Sequence, residues 1–312
     1  MKVLVTGGAG FIGANLCRGL TSEGVHEVIA YDNLSTGFRE NLVNLDGVSL
    51  VEADVLDQNL LNEAVAGVDA IVHLAALASV SRSIDHPLAT HHANATGTVH
   101  VLEAARTNGV PHVIVASSSS VYGANPTLPK YENLTTAPVS PYAASKLATE
   151  SYALAWQHSM GLKTLAFRFF NVFGPLQSAG HAYAAVVPAF VDAAVHDRPL
   201  PVHGDGTQTR DFTYVGSLVS VLVDAVVRQV SYPEPVNLAF GTRSSLLDVI
   251  ACLESIYGRS LKRDHQPSRA GDVKDSQSDT TRLMSLFPDV VPVPLELGLA
   301  ETVKWFHEII TT

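Results

Sequence analysis

Short apolar runs alternate with amphipathic stretches through the first half of the chain. Val3-Leu4-Val5-Thr6 is β-like, Gly7-Gly8-Ala9-Gly10-Phe11-Ile12-Gly13 follows at once, and a helical pattern then runs through Leu16 and Leu20. The next β-like run, Glu27-Val28-Ile29-Ala30-Tyr31, ends at Asp32. The pattern predicts strands at 48–52, 70–74, 112–117 and 164–169, with helices at 57–66, 92–107 and from Tyr142 to 159. Repeated strand-then-helix units require a parallel sheet with helices on both faces, so the fold class is α/β and doubly wound. From Asn171 the rhythm breaks into Gly/Pro loops, a helix-like run at 182–196, a strand at 236–239 and an apolar helix at 245–257. A polar segment from Pro267 to Ser278 and an amphipathic helix at 297–309 complete it. The expected organisation is a large domain, 1–170 plus 212–240, and a smaller interleaved C-terminal domain, 171–211 and 241–312.

The glycine cluster changes the picture from fold to ligand. Between a strand and a helix, Gly7 permits a tight turn, Gly10 lets backbone approach a pyrophosphate, and Gly13 lets the helix lie close to the strand. Asp32 stands about twenty residues further on, where a dinucleotide site places the acid that binds ribose hydroxyls. Its carboxylate would repel a 2′-phosphate, and Asn33 rather than arginine follows it, so NAD is expected over NADP in a Rossmann domain. Gly7, Asp32, Asp54, Ala75, Ser118 and Arg168 all fall at predicted strand C-terminal ends, where such sheets bind ligands.

A second cluster carries chemistry. Ser117-Ser118-Ser119-Ser120 closes one apolar run, and Tyr142 and Lys146 follow Ser140 and Pro141, which suit the N-cap and first position of a helix. At i and i+4 the phenol and the ammonium share one helical face. A nearby positive charge favours phenolate, which makes the pair a tuned acid/base; an isolated Tyr-x-x-x-Lys is ordinarily surface decoration, and the flanking motifs set this one apart.

Composition closes off other classes. The chain has 312 residues, 46% hydrophobic and 16% charged, with a net charge of −10 and a pI of about 5.7. This argues against nucleic acid as a partner, and no apolar run is long enough to span a bilayer. Two cysteines, Cys17 and Cys252, provide no disulfide framework, and Cys17 is expected to be buried in the first helix. The start runs directly into a strand pattern without a signal-peptide layout, so a cytoplasmic location is expected. The 13 histidines are scattered, His91-His92 is a tandem pair without zinc spacing, and no metal site is expected.

Taken together, these motifs resemble the extended short-chain dehydrogenase/reductases, and among them the nucleotide-sugar epimerases of the UDP-glucose 4-epimerase type. The resemblance covers essentially the whole chain. It adds His73-Leu74-Ala75-Ala76, Arg168-Phe169-Phe170-Asn171, Tyr183 to Pro188, Gly204-Asp205-Gly206, Arg210-Asp211-Phe212 and Arg269-Ala270-Gly271-Asp272 to the motifs above. It implies that Tyr142 takes the proton of the sugar 4-hydroxyl while C4 gives a hydride to tightly bound NAD. Ser118 would hold the same oxygen, and Lys146 would bind the nicotinamide ribose and lower the tyrosine pKa. The implied NAD contacts are Gly7, Gly10, Phe11, Ile12, Gly13, Asp32, Asn33, Asp54, Val55, Leu74, Ala75, Asn94 and Phe169, with Tyr142 and Lys146. The implied contacts to a UDP-sugar are Ser118, Asn171, Val187, Arg210, Arg269, Asp272 and Ser276. A homodimer through the helices at 92–107 and 142–159 is implied as well.

Two departures narrow the reaction. Relatives that dehydrate at C5 and C6 carry Asp and Glu just after the catalytic Ser/Thr, whereas this chain has Ser119 and Ser120, which leaves redox chemistry at C4. Where glucose-restricted relatives carry a bulky tyrosine this chain has Ser276, which would admit a 2-acetamido group. The expected activity is therefore 4-epimerisation of UDP-glucose or UDP-galactose, with the N-acetyl forms included and dTDP as the other nucleotide considered. UDP-glucuronate 4-epimerisation, using Gln177, Ser178 and His181, is the alternative; a non-catalytic NAD-binding protein is the third reading.

Overall fold

The computed structural model describes residues 1–179, 185–267 and 275–311. Its centre is a seven-stranded parallel sheet: β1 (Lys2–Thr6), β2 (Glu27–Asp32), β3 (Val48–Glu52), β4 (Ala70–His73), β5 (His112–Ser118), β6 (Lys163–Phe169) and β7 (Val236–Leu238). The order is β3-β2-β1-β4-β5-β6-β7. The order in which strands are added reverses between β1 and β4, which opens a crevice at their C-terminal ends. In register, Thr6 faces Tyr31 and His73, while Ser118 faces Phe169.

All but the edge strand β3 are buried on both sides, as their near-continuous Val, Ile and Leu runs require. One face packs on the helices Phe11–Ser22 and Val215–Val227, through Leu16, Cys17, Leu20, Leu218 and Leu222. Cys17 is fully buried as expected, and burial pushes its thiol up to about 12. The other face packs on Gln58–Ala64, Gly97–Thr107 and Pro141–Met160, through Leu61, Val101, Leu102 and Ala153. The predicted caps form: Ser140 Oγ accepts from Ala143 N at 3.1 Å, Pro141 takes the first helical position, and Gly161 at φ +72° ends the helix.

A third core lies beyond the sheet. Phe173, Phe190, Leu200, Phe212, Val249, Leu253, Leu299 and Phe306 join the helices Val186–Val195, Leu246–Tyr257 and Leu295–Thr311. Two short strand pairs tie this lobe together, Leu200–His203 with Arg263–Gln266 and Thr209–Arg210 with Ser244–Ser245. The chain then returns to the first lobe: Leu283 and Phe287, on and after the Thr281–Leu286 helix, pack beneath the sheet. That return departs from the expectation that all of 241–312 lies in the smaller domain. Among the described residues no helix is long and apolar enough to cross a membrane.

Candidate active site

The glycine turn is as tight as its sequence demands. Gly7 has φ +69°, and a Cβ there would sit 2.8 Å from Ala75 N. A Cβ on Gly13 would meet Gly7 O at 2.0 Å, and one on Gly8 would meet Ala30 at 2.7 Å. Gly10 caps the Phe11–Ser22 helix without a side-chain acceptor, so the first-turn N–H groups of Phe11, Ile12 and Gly13 have no side-chain cap and form a positive end suited to phosphate. The Phe11 and Ile12 side chains pack half-buried against the core.

At the end of β2, Asp32 Oδ2 accepts from Ala9 N at 3.0 Å and Oδ1 from Leu34 N at 2.8 Å. Each oxygen keeps a second lone pair for a ribose hydroxyl. Gly37 closes over the same carboxylate, with its Cβ position 3.0 Å from Oδ2. Asn33 Nδ2 donates to Asp54 Oδ2 at 2.8 Å, which ties the ends of β2 and β3. Val55 is buried beside Gly97. Leu74 N donates to Thr6 O at 3.1 Å, and Ala75 N to Thr6 Oγ1 at 3.2 Å. Phe169 ends β6 half-buried. A cradle that no Cβ could share, a capless helix end and a shielded aspartate fit a dinucleotide such as NAD.

Behind the cradle runs a buried hydrogen-bond chain the sequence reading did not foresee. Thr6 Oγ1 and His73 Nδ1 lie 2.7 Å apart, and His73 Nε2 and Thr98 Oγ1 3.1 Å apart. Thr98 Oγ1 spends its proton on Asn94 O at 2.5 Å, so His73 Nε2 is assigned the donor and Nδ1 the acceptor. Burial foremost, and then the charge of Lys146, hold the ring neutral by lowering its pKa to about 3. Asn94 sits in a π-helical turn, His92–Thr96, where its Oδ1 accepts from Leu77 N at 2.8 Å and its Nδ2 donates to Ser145 Oγ at 2.9 Å. The chain thereby links the glycine turn, the Ala75 loop and the Tyr142 helix.

Ser118, Tyr142 and Lys146 come together where β5 ends. Ser118 Oγ accepts from Ser120 N at 3.2 Å and from Ser120 Oγ at 2.9 Å, so its own hydrogen is left to donate towards Tyr142. Lys146 Nζ donates to Ala116 O at 2.8 Å, and burial pulls its pKa down to about 8. Tyr142 is half-buried. Burial raises its pKa, and Ser118 is the group that opposes the rise. The protein's own groups therefore do not produce the expected depression: the ammonium is anchored on the Ala116 carbonyl, and desolvation dominates.

Arg168, expected among the ligand-facing strand ends, is instead locked inside. Its guanidinium forms a fork on Glu150, at 2.9 and 2.6 Å, donates to Glu132 O at 3.1 Å and lies 4.8 Å from the Tyr122 ring centre. Ser117 Oγ donates to the same Glu150 carboxylate at 2.7 Å and lies 3.1 Å from Lys146 O. This pair braces the Pro141–Met160 helix against β6.

Three of the expected substrate residues converge at the lobe boundary. Asn171, at φ +29°, donates from Nδ2 to Asp211 O at 3.1 Å. Arg210 Nη1 donates to Thr209 O at 2.8 Å, and Ser276 N donates to the same carbonyl at 3.1 Å. The Val187 side chain is buried in the third core, which leaves its backbone to meet a ligand. Arg269 and Asp272, like Gly180, His181, Tyr183 and Ala184, lie outside the described residues. Asp211 was read only as part of a motif, yet it is fully buried at the junction, and desolvation raises its carboxyl to about 6 against the hydrogen bonds that lower it.

Comparison with known proteins agrees with this geometry. The model of the NAD dependent epimerase/dehydratase family matches residues 3–239. The UDP-glucose 4-epimerase of Mycolicibacterium smegmatis is 37% identical over 98% of this chain and 99% of its own. The UDP-N-acetylglucosamine 4-epimerase of Methanobrevibacter ruminantium, solved with UDP-N-acetylmuramic acid, superposes with a TM-score of 0.93 at 34% identity, covering 99% of this chain and 98% of that one. The UDP-glucose 4-epimerase of Thermotoga maritima, solved with UDP-glucose, gives 0.92 at 31% identity, covering 99% and 100%. The matched span holds the glycine turn, Asp32 and the Ser118–Tyr142–Lys146 cluster, and the chain belongs to the NAD-dependent epimerase/dehydratase family.

Proposed function

We propose that this protein is a nucleotide-sugar 4-epimerase that inverts C4 of a UDP-hexose, glucose or galactose and their N-acetyl forms, with NAD retained through turnover. The observation that carries the reading is the Ser118–Tyr142–Lys146 cluster with hydroxyls, and no carboxylate, at 119 and 120. Ser120 turns its hydroxyl onto Ser118, so the position that would need an acid or base for C5 and C6 chemistry serves to orient Ser118 instead.

When bound, NAD supplies the hydride acceptor for C4 and a positive charge beside the phenol. Gly7, Gly10 and Gly13 would take its pyrophosphate, Asp32 its adenosine ribose, and Asn33, Asp54, Val55, Leu74, Ala75, Asn94 and Phe169 would line it. Tyr142 would accept the proton of the 4-hydroxyl and return it after the sugar has presented its other face. Lys146, with its pKa near 8, keeps most of its charge at neutral pH and supports the phenolate. Ser118 donates to the oxygen that is losing or regaining its proton. Asn171, Arg210 and Ser276, with Arg269 and Asp272, would hold the nucleotide and sugar, and Ser276 leaves room for a 2-acetamido group. Gln177 adds little to a glucuronate reading, since its amide donates to Val172 O at 3.1 Å. A homodimer through Gly97–Thr107 and Pro141–Met160 would cover Tyr152, which is exposed beside Trp156.

A panel of UDP- and dTDP-sugars offered to the purified protein without added NAD, with chromatographic analysis, tests the proposal. C4-inverted UDP-hexose is expected; conversion confined to UDP-glucuronate, or none at all, overturns it. Ser276→Tyr should abolish turnover of UDP-N-acetylglucosamine and leave that of UDP-glucose within about twofold; equal losses on both would refute the assigned role.

A further inference from the structure

Asp211 lies in neither the cofactor cradle nor the acid/base cluster, yet Asn171, Arg210 and Ser276 all lead back to it. Its carboxylate is fully buried and gathers donors from two distant segments. Gly241 N and Ser278 N donate to Oδ2 at 3.1 and 2.9 Å, and Thr242 Oγ1 donates to Oδ1 at 2.9 Å. Its backbone carbonyl accepts from Asn171 Nδ2 at 3.1 Å. Arg210 precedes it directly, and Ser276 is fixed from both sides, by its own N–H on Thr209 O at 3.1 Å and by Ser278 on the carboxylate. Gly241 and Thr242 follow β7, Asn171 follows β6, and Ser278 belongs to the segment that returns from the smaller lobe to the first. One side chain thus sets the spacing of pieces that the fold brings from four places.

Resting on the substrate-site reading above, we propose that Asp211 is a positioning residue that holds Asn171, Arg210 and Ser276 in the arrangement that binds the nucleotide sugar. The setting suits an ionised carboxylate, because each of the three groups facing its oxygens donates to it. An asparagine would direct its oxygen to Gly241 N and Ser278 N and its amide group to Thr242, whose hydroxyl can turn towards Phe212 O at 3.4 Å. Alanine would strand all three donors.

The test measures steady-state kinetics with UDP-glucose and NAD content for Asp211→Asn, Asp211→Ala, Thr242→Val and Arg210→Met. Asp211→Ala should raise KM about tenfold or more with kcat within about twofold and NAD content unchanged, and Asp211→Asn should raise KM less. A merely structural role would lower thermal stability while leaving the KM of the folded, NAD-loaded fraction untouched. If Arg210→Met raises KM and the Asp211 variants do not, the inference falls and the site reading stands; if none of them does, both fall. Should Asp211→Ala yield no NAD-loaded protein, Thr242→Val decides: a KM rise of about threefold supports the role, and an unchanged KM overturns it.

Discussion

Acidification probes the buried histidine behind the cofactor cradle. His73 is enclosed, donates through Nε2 to Thr98 and accepts through Nδ1 from Thr6, and its pKa lies near 3 against an ordinary 6.5. The unfolded chain therefore binds a proton between these values that the folded chain does not, and stability falls as pH falls through that window. Linkage gives a loss of about 1.4 kcal/mol at pH 5.5 and about 2.7 kcal/mol at pH 4.5, rising towards about 5 kcal/mol below pH 3. Asp211 acts in the opposite sense: its folded pKa, raised to about 6 from 3.8, leaves the folded state holding the extra proton, so its contribution grows as pH falls from 6 to 3.8. Comparison with His73→Asn removes that term, because both proteins carry Asp211. In urea unfolding at pH 7.0, 5.5 and 4.5, the wild type should exceed the variant most at pH 7.0, and the gap should shrink by about 2.5 kcal/mol by pH 4.5. A gap independent of pH would show that His73 can be protonated where it stands, and the assigned donor and acceptor roles would be wrong.

Other consequences follow from single contacts. Gly13→Ala places a Cβ 2.0 Å from Gly7 O, so the turn must shift and NAD affinity should fall at least about tenfold; a variant that purifies with stoichiometric NAD would contradict the cradle. Arg168→Met leaves the Glu150 carboxylate buried without its fork and should cost about 3–5 kcal/mol, with the double change to Arg168→Met and Glu150→Gln costing less. Thermal unfolding of the NAD-loaded proteins checks the order, and a single variant as stable as the wild type would remove the brace from the account.

Local chemistry explains what was legible in the sequence. Ser140, Pro141, the glycines and Asp32 act within a few residues of themselves, so their roles could be read from spacing. The sheet was legible for the same reason, since strands buried on both faces write themselves as unbroken apolar runs. Arg168 was misplaced because its partner Glu150 lies a helix away, and nothing in the strand text distinguishes a ligand arginine from one turned inward. Asp211 was missed because its donors, Gly241, Thr242 and Ser278, are brought to it only by the tertiary fold. The π turn at His92–Thr96 and the two-residue strand pairs leave no periodic trace of their own. His73 stood in a quoted motif, yet its alignment between Thr6 and Thr98 depends on the register of β1 and β4 and on a helix beyond them.

The central claim is that hydrogen leaves C4 and returns to the same carbon while Tyr142 holds the proton of its hydroxyl. UDP-glucose labelled with deuterium at C4 can be converted in ordinary water and the UDP-galactose examined by NMR and mass spectrometry. Full retention of deuterium at C4 is the predicted result, with no product from Tyr142→Phe. Deuterium lost to water, or an active Tyr142→Phe protein, would contradict it.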